Sequence, residues 1–362
     1  NYARYAAIRG GTGEVGGALT PARADLAATA LALPQGQVLT NDITYALAPA
    51  MPRLKALYDA RVMAPVLNAG PLLAPMTRQQ YDSQSVPRPP KLFSHNDQQS
   101  TWQAYSPEGA TVGAGGRIGD LCMSTNSNAL FTCMSATGNA VFLSGQRALS
   151  YQISNSGAIA VSGVKNGVHG SRAAGDALRN LLTQANPHVL AADHIAVAKR
   201  SIEAEAFVTA ALQPVTLATN FTPPAGSNSL AAQLRVVARV IAARQALGVR
   251  RQVFMVSMGG YDTHDAQVVN HTRLMGQLDF ALDAFYRATA ELGVADKVTT
   301  FTASDFGRTL ASNGDGSDHG WGAHHLVMGG AVNGGRFFGT APAIATNTPD
   351  QVGSGRLLPT IS

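Results

Sequence analysis

No apolar run in this chain approaches the roughly 20 residues needed to cross a bilayer as a helix, so nothing in it reads as a membrane span. Lys and Arg never gather into a run, although they outnumber Asp and Glu by 27 to 22 and set the pI near 9.4. A surplus spread this thinly argues against a nucleic-acid-binding stripe and against a polybasic membrane anchor. Charged residues are few altogether, 14% against 45% hydrophobic, a balance that suits a compact fold and excludes a solvated tail. There is no internal repeat and no heptad seam. Cysteine is nearly absent. Cys122 and Cys133 flank the turn-like MSTNSNALFT, either as a disulfide suited to an oxidising compartment or as two small buried hydrophobes.

The 362 residues are enough for one large α/β domain or two smaller ones. The chain starts with Asn and ends on GRLLPTIS without a capped element, so the expectation is that both ends are trimmed and that an export signal preceded it. Up to Gln98, short helix-like pieces (Ala22 to Leu31, Pro52 to Ala60) alternate with a strand, Val62 to Ala69, and a Pro-rich loop, Val86 to Lys91. Residues 111 to 170, rich in Gly, Ser, Thr and Asn, predict a β-rich excursion. Residues 189 to 213 and 228 to 248 carry helical periodicity, the second with Leu230, Leu234, Val237, Ile241 and Leu247 on one face. An α/β register follows: strand Gln252 to Met258, helix Ala266 to Leu292, strand Val298 to Ala303 and a third apolar segment, Leu326 to Val332. In an open parallel sheet ligands gather beyond the carboxyl ends of strands, and Asp262 and Asp305 each lie just past such an end.

Most of the chemistry-bearing residues sit in those two loops. GGYDTH offers Asp262 and His264, two apart and so on one side if strand geometry persists. In TASDFGRT, Asp305 is either a metal ligand or the N-cap of a helix beginning near Gly307. Arg308 is either a bidentate partner for phosphate or sulfate or one half of a surface ion pair. SDHGWGAHH brings Asp318, His319, His324 and His325, and the adjacent pair would point to opposite faces of a strand. Carboxylate with imidazole is a donor set for divalent transition metals. Upstream, FSHNDQQSTWQ supplies Ser94, His95, Asp97 and Trp102 at a helix start, where a plain cap is the simpler reading. GTGEVG, residues 11 to 16, formally matches a dinucleotide fingerprint, but no buried strand precedes it and no βαβ unit surrounds it.

LFSHNDQQSTWQ, GGYDTHDAQ, SDFGRT, DHGWGAHHLVMGGAVNGG and GRLLPT together resemble, nearly end to end, the secreted bacterial family numbered 1501 among domains of unknown function. That family is in turn similar to the alkaline phosphatase and sulfatase superfamily. The resemblance implies a single α/β domain over residues 1 to 362, a mainly parallel sheet flanked by helices. It also implies one or two divalent metals at the sheet edge and export by the twin-arginine route to the periplasm or beyond. By position, Asp262 and His264 resemble the superfamily's first metal pair, while Phe306 stands where a His commonly follows the Asp. The resemblance also implies an opening strand, with a Gly-Gly-x-Asp-type segment, ahead of the first residue here, and no residue matches the superfamily nucleophile convincingly.

The expected function is thus a metal-dependent hydrolase of phosphate or sulfate esters acting on an anionic ester or polysaccharide. Asp262, His264, Asp305, His319 and His324 would hold the metal, Arg308 would bind the anion, and His95 would serve as acid or substrate contact. Zn or Mn suits mixed nitrogen and oxygen donors, and Ca or Mg a carboxylate cage. The competing expectation is a non-catalytic exported protein that keeps the fold for assembly or for binding a surface polymer. A Ser, His and Asp triad ranks below both, for want of a nucleophile elbow.

Overall fold

A computed structural model describes residues 19–40, 43–344, 348–353 and 355–362. The GTGEVG segment lies outside the described residues. The chain mixes helices with several short sheets. Helix α1 (Pro52–Asp59) opens with proline at its first turn, where the missing N–H costs nothing, and buries Leu54, Leu57 and Tyr58. Strand β1 (Met63–Ala69) follows, then helices α2 (His95–Ala104) and α3 (Ala114–Cys122). Next come strands β2 (Cys133–Ser135), β3 (Ser150–Ser154) and β4 (Gly157–Ala158), and helices α4 (Arg172–Thr183), α5 (Val189–Leu212) and α6 (Ser229–Ala242). Strand β5 (Val253–Met255) and helix α7 (Gln267–Glu291) precede β6 (Thr300–Phe301), β7 (Arg308–Ser312), β8 (Ser317–His319) and β9 (Ala323–Met328). A last hairpin joins β10 (Gln351–Val352) to β11 (Arg356–Leu357).

The residues form two compact units. The first runs through the residues up to Ala114, Ala218–Leu234 and Ser257–Ser362. Its sheet has the order β1, β9, β6, and both pairings are antiparallel. Helix α7 buries Leu274, Leu282 and Phe285, and its Asp279 reaches the amino end of α1. Trp321, Val352 and Leu358 form a small core with Leu92 and Phe93 against it.

The second unit comprises Gly115–Leu217 and Arg235–Val256. Its sheet has the order β4, β3, β2, β5, with β2 parallel to both β3 and β5. Met134, Ile153, Val208, Leu212, Val236 and Val240 fill its core, each worth roughly 1.5–3 kcal/mol when fully buried. Most of the expected β-rich excursion lies here, but it opens with α3 and its strands are short. Both cysteines are free, and burial pushes the Cys133 thiol up to about 11, which makes it a small hydrophobe.

Glu205 of α5 is buried and accepts hydrogen bonds from Lys165 and from Thr209, the latter at 2.8 Å. Burial disfavours its charge, but these partners prevail and hold its pKa below the ordinary 4.5. A depressed carboxyl pKa contributes stability above the unfolded value and loses it as pH falls through the folded one. Urea unfolding midpoints measured from pH 6 down to pH 3 are therefore expected to fall less steeply in Glu205→Gln than in the unaltered chain. Equal slopes would remove this pair from the acid response.

Two expectations need correction. The α/β register is not one mainly parallel sheet, because β5 pairs with β2 whereas β6 and β9 pair antiparallel. A parallel return needs a long crossover, usually a helix, and the link from β6 to β9 is filled instead by the β7–β8 hairpin. For the same reason Asp305 caps no helix: the chain after Gly307 enters β7.

Candidate metal centre

The β7–β8 hairpin sets the site. Its register places Arg308 opposite His319. The loop carrying Asp262 and His264 is tied to it: Ser317 N–H donates to the Thr263 carbonyl at 3.2 Å, and Ala266 N–H to the Asp315 carboxylate at 3.0 Å. This close approach requires glycine at 316, where a Cβ would lie 2.1 Å from the His264 carbonyl oxygen. The third contributor is α2, whose first residue is His95. Ser94 holds the cap position, but its hydroxyl donates to Asp97 at 3.0 Å and caps no backbone amide.

Three imidazoles converge on the Asp262 carboxylate. His319 Nε2 lies 2.9 Å and His264 Nε2 3.0 Å from its Oδ1, and His95 Nε2 lies 3.2 Å from its Oδ2. The two Nε2 atoms of His264 and His319 are 3.0 Å apart. Behind each ring stands an oxygen: Asp305 Oδ2 at 2.6 Å from His95 Nδ1, the Phe93 carbonyl at 2.9 Å from His319 Nδ1, and Asp318 Oδ1 at 3.4 Å from His264 Nδ1. A carbonyl can only accept, so the Nδ1 of His319 carries a proton and donates it outward, and Nε2 is the ring atom turned inward toward Asp262. This is the arrangement of metal-ligating histidines, whose outer N–H is taken by a carboxylate or carbonyl that fixes tautomer and orientation. Ligand atoms of His95, Asp262 and His319 all lie within 4.8 Å of one another, close enough to share one ion.

Charge is balanced around Asp262. Burial alone would raise its pKa, but hydrogen bonds from Arg308, His95 and His319 hold it down at about 2. Burial likewise disfavours a charged His95, yet Asp305 and Asp262 outweigh it and raise the pKa above the ordinary 6.5. Of the two readings of Arg308, an oxyanion partner or one half of an ion pair, the structure shows the ion pair. The Arg308 Nη1 donates to Asp262 Oδ1 at 2.7 Å and the rest of its guanidinium to Ser317, a pairing that sequence spacing could not reveal.

His324 is not gathered with the others. The Asn68 N–H donates to its Nδ1 at 3.0 Å, and its ring meets Tyr45 edge-on at 5.3 Å. Its neighbour His325 is buried against Trp102, and burial pushes its pKa down to about 4. Alternation along β9 separates the two rings from each other and from His319. Phe306 is buried and stacks on His319 with ring centroids 4.1 Å apart. Sequence reasoning gave no role to the Phe93 carbonyl, because a main-chain atom leaves no residue signal, and none to Asp318 beyond membership of its loop.

Among protein families, one described as a protein of unknown function, DUF1501, matches residues 70–361. No curated protein and no solved structure matches the chain.

Proposed function

The chain belongs to the DUF1501 family, whose function is unknown, and for this member we propose a divalent-metal-dependent hydrolase of phosphate or sulfate esters acting after export. The observation that carries the reading is the convergence of three oxygen-backed imidazoles on one carboxylate. His95, Asp262 and His319 would hold the ion, with His264 beside them, and such mixed nitrogen and oxygen donors favour Zn or Mn over Ca or Mg. The choice of ester rests on the likeness of GGYDTH and SDFGRT to the metal-binding segments of the phosphatase and sulfatase superfamily.

A bound ion of this class supplies Lewis acidity for ester cleavage. The residues do the rest. Asp305 and the Phe93 carbonyl take the outer N–H groups and make the inner nitrogens better donors. Arg308 orients Asp262 and offsets its charge. Three nearby hydroxyls are engaged, Ser94 with Asp97, Ser304 with Asp305 and the Phe306 carbonyl, Ser317 with Arg308 and Gln267, and that of Thr263, which has no hydrogen-bond partner, is buried away from an incoming ester. Water is therefore the nucleophile in this reading.

Metal analysis of the purified chain, paired with turnover of aryl phosphates and aryl sulfates, tests it. We expect at least one transition-metal ion per chain and turnover that a chelator removes. Absence of both ends the proposal. Metal without turnover favours the second reading, a non-catalytic exported binding protein, to which Phe306 lends weight by filling a place where the superfamily commonly has a ligand.

A further inference from the structure

We propose that Arg356, in the closing GRLLPT segment, is a positioning residue that fixes the imidazole of His319; the proposal rests on the metal-site reading above. Arg356 lies on β11, opposite Val352 in the last hairpin. Leu310 N–H donates to the Gly355 carbonyl at 2.8 Å, which ties this hairpin to β7, and Leu358 packs with Trp321 in the small core. Arg356 therefore arrives from a rigid base.

From there it holds His319 twice. Its Nε donates to the His319 main-chain carbonyl at 2.9 Å, and its guanidinium carbon sits 4.3 Å over the Phe93 ring. The Phe93 carbonyl in turn accepts the Nδ1 proton of His319 at 2.9 Å. Phe93 has a φ of 74°, a left-handed backbone that a bulky L residue rarely adopts. Its carbonyl direction is therefore held by its surroundings, the Trp321 core on one side, and the guanidinium on its ring ties it to the His319 main chain as well. Only arginine does both tasks, because its planar group donates in its plane and stacks with its face, whereas lysine is a point charge. Through this clamp the Nε2 of His319 stays turned toward Asp262.

The test uses the full chain with Arg356→Gln, Arg356→Lys and Phe93→Leu. It reads zinc affinity by chelator competition, the thermal midpoint of the metal-stripped protein, and the side-chain nitrogen resonances of His319. Zinc affinity is expected to fall about 10- to 100-fold in Arg356→Gln, the range for losing a partner behind a ligand, and by less in Arg356→Lys. Phe93→Leu, which keeps the carbonyl and loses the ring, should weaken zinc in the same direction. The metal-stripped midpoints should match the unaltered chain. Unchanged affinity overturns the proposal, and so does an affinity loss that merely follows a lower midpoint. If the unaltered chain binds no zinc, the metal reading fails separately and the clamp is judged on the resonances. One Nδ1–H tautomer in the unaltered chain and averaging in Arg356→Gln supports it, and identical spectra overturn it.

Discussion

Asp262→Ala is expected to lose the bound ion, with divalent-metal affinity falling by more than about 100-fold, beyond the range typical of losing only a partner behind a ligand. Asp262 touches all three imidazoles, and both of its oxygens are in use. Its removal leaves Arg308 facing three rings without the carboxylate that offsets it. Asp262→Asn should fail nearly as badly, because an amide NH2 would point a donor at the guanidinium or at a ring nitrogen. Isothermal titration with zinc measures both, and retention of tight binding in either variant would refute the assignment of Asp262. The pH dependence separates the residues. A carboxyl held at about 2 stays ionised, and its contribution is present above the ordinary 3.8 and fades only as pH falls toward 2. His95 has the opposite sign: its raised pKa favours the protonated ring, a contribution present below 6.5 and lost as pH rises through the raised value. Protons therefore compete with the ion at His95, and zinc affinity should weaken on acidification well above the pH at which Asp262 titrates.

Asp279→Ala should give the largest loss of stability, about 2–4 kcal/mol in urea unfolding, from a lost cap together with an orphaned buried amide. The side chain is fully buried; its Oδ1 accepts from Leu54 N–H at 2.8 Å, and its Oδ2 faces Arg53 at 3.2 Å. Met51, the residue preceding α1, gives no side-chain cap, so a residue from α7 does that work. Asp279→Asn keeps an acceptor for Leu54 and is expected to lose less than half as much. Burial raises the Asp279 pKa above its ordinary value despite the hydrogen bonds from Leu54 and Arg53. Its contribution is thus greatest below 3.8 and declines as pH rises through the raised value, a dependence that Asp279→Asn should remove. Equal losses in the two variants would show that capping is not its role.

Local patterns in the chain carried real information about structure. The helix expected from Ala266 to Leu292 is observed as Gln267–Glu291, since its apolar spacing is long and regular. Leu230, Leu234, Val237, Ile241 and Leu247, read as one face, are all buried. Strand pairing was not legible, because hydrophobic runs specify burial but not partner or direction, and β5 and β6 joined different sheets. His324 illustrates the same limit at the scale of one side chain: adjacent histidines on a strand diverge, and only the register of β9 with β1 decides which environment each meets.

By itself the sequence picked out the segments that hold the candidate ligands. Glycine-rich loops holding Asp262, His264, Asp305 and His319, together with His95 at a helix start, follow from residue type and spacing. Tertiary structure alone decided how those groups are spent. It turned Arg308 onto Asp262, set an oxygen behind each imidazole, and brought Phe93 and Arg356 to His319 from distant parts of the chain. Those are contacts between residues remote in sequence, fixed by the packing of the hairpins and α2, and no local pattern encodes the direction in which a donor points.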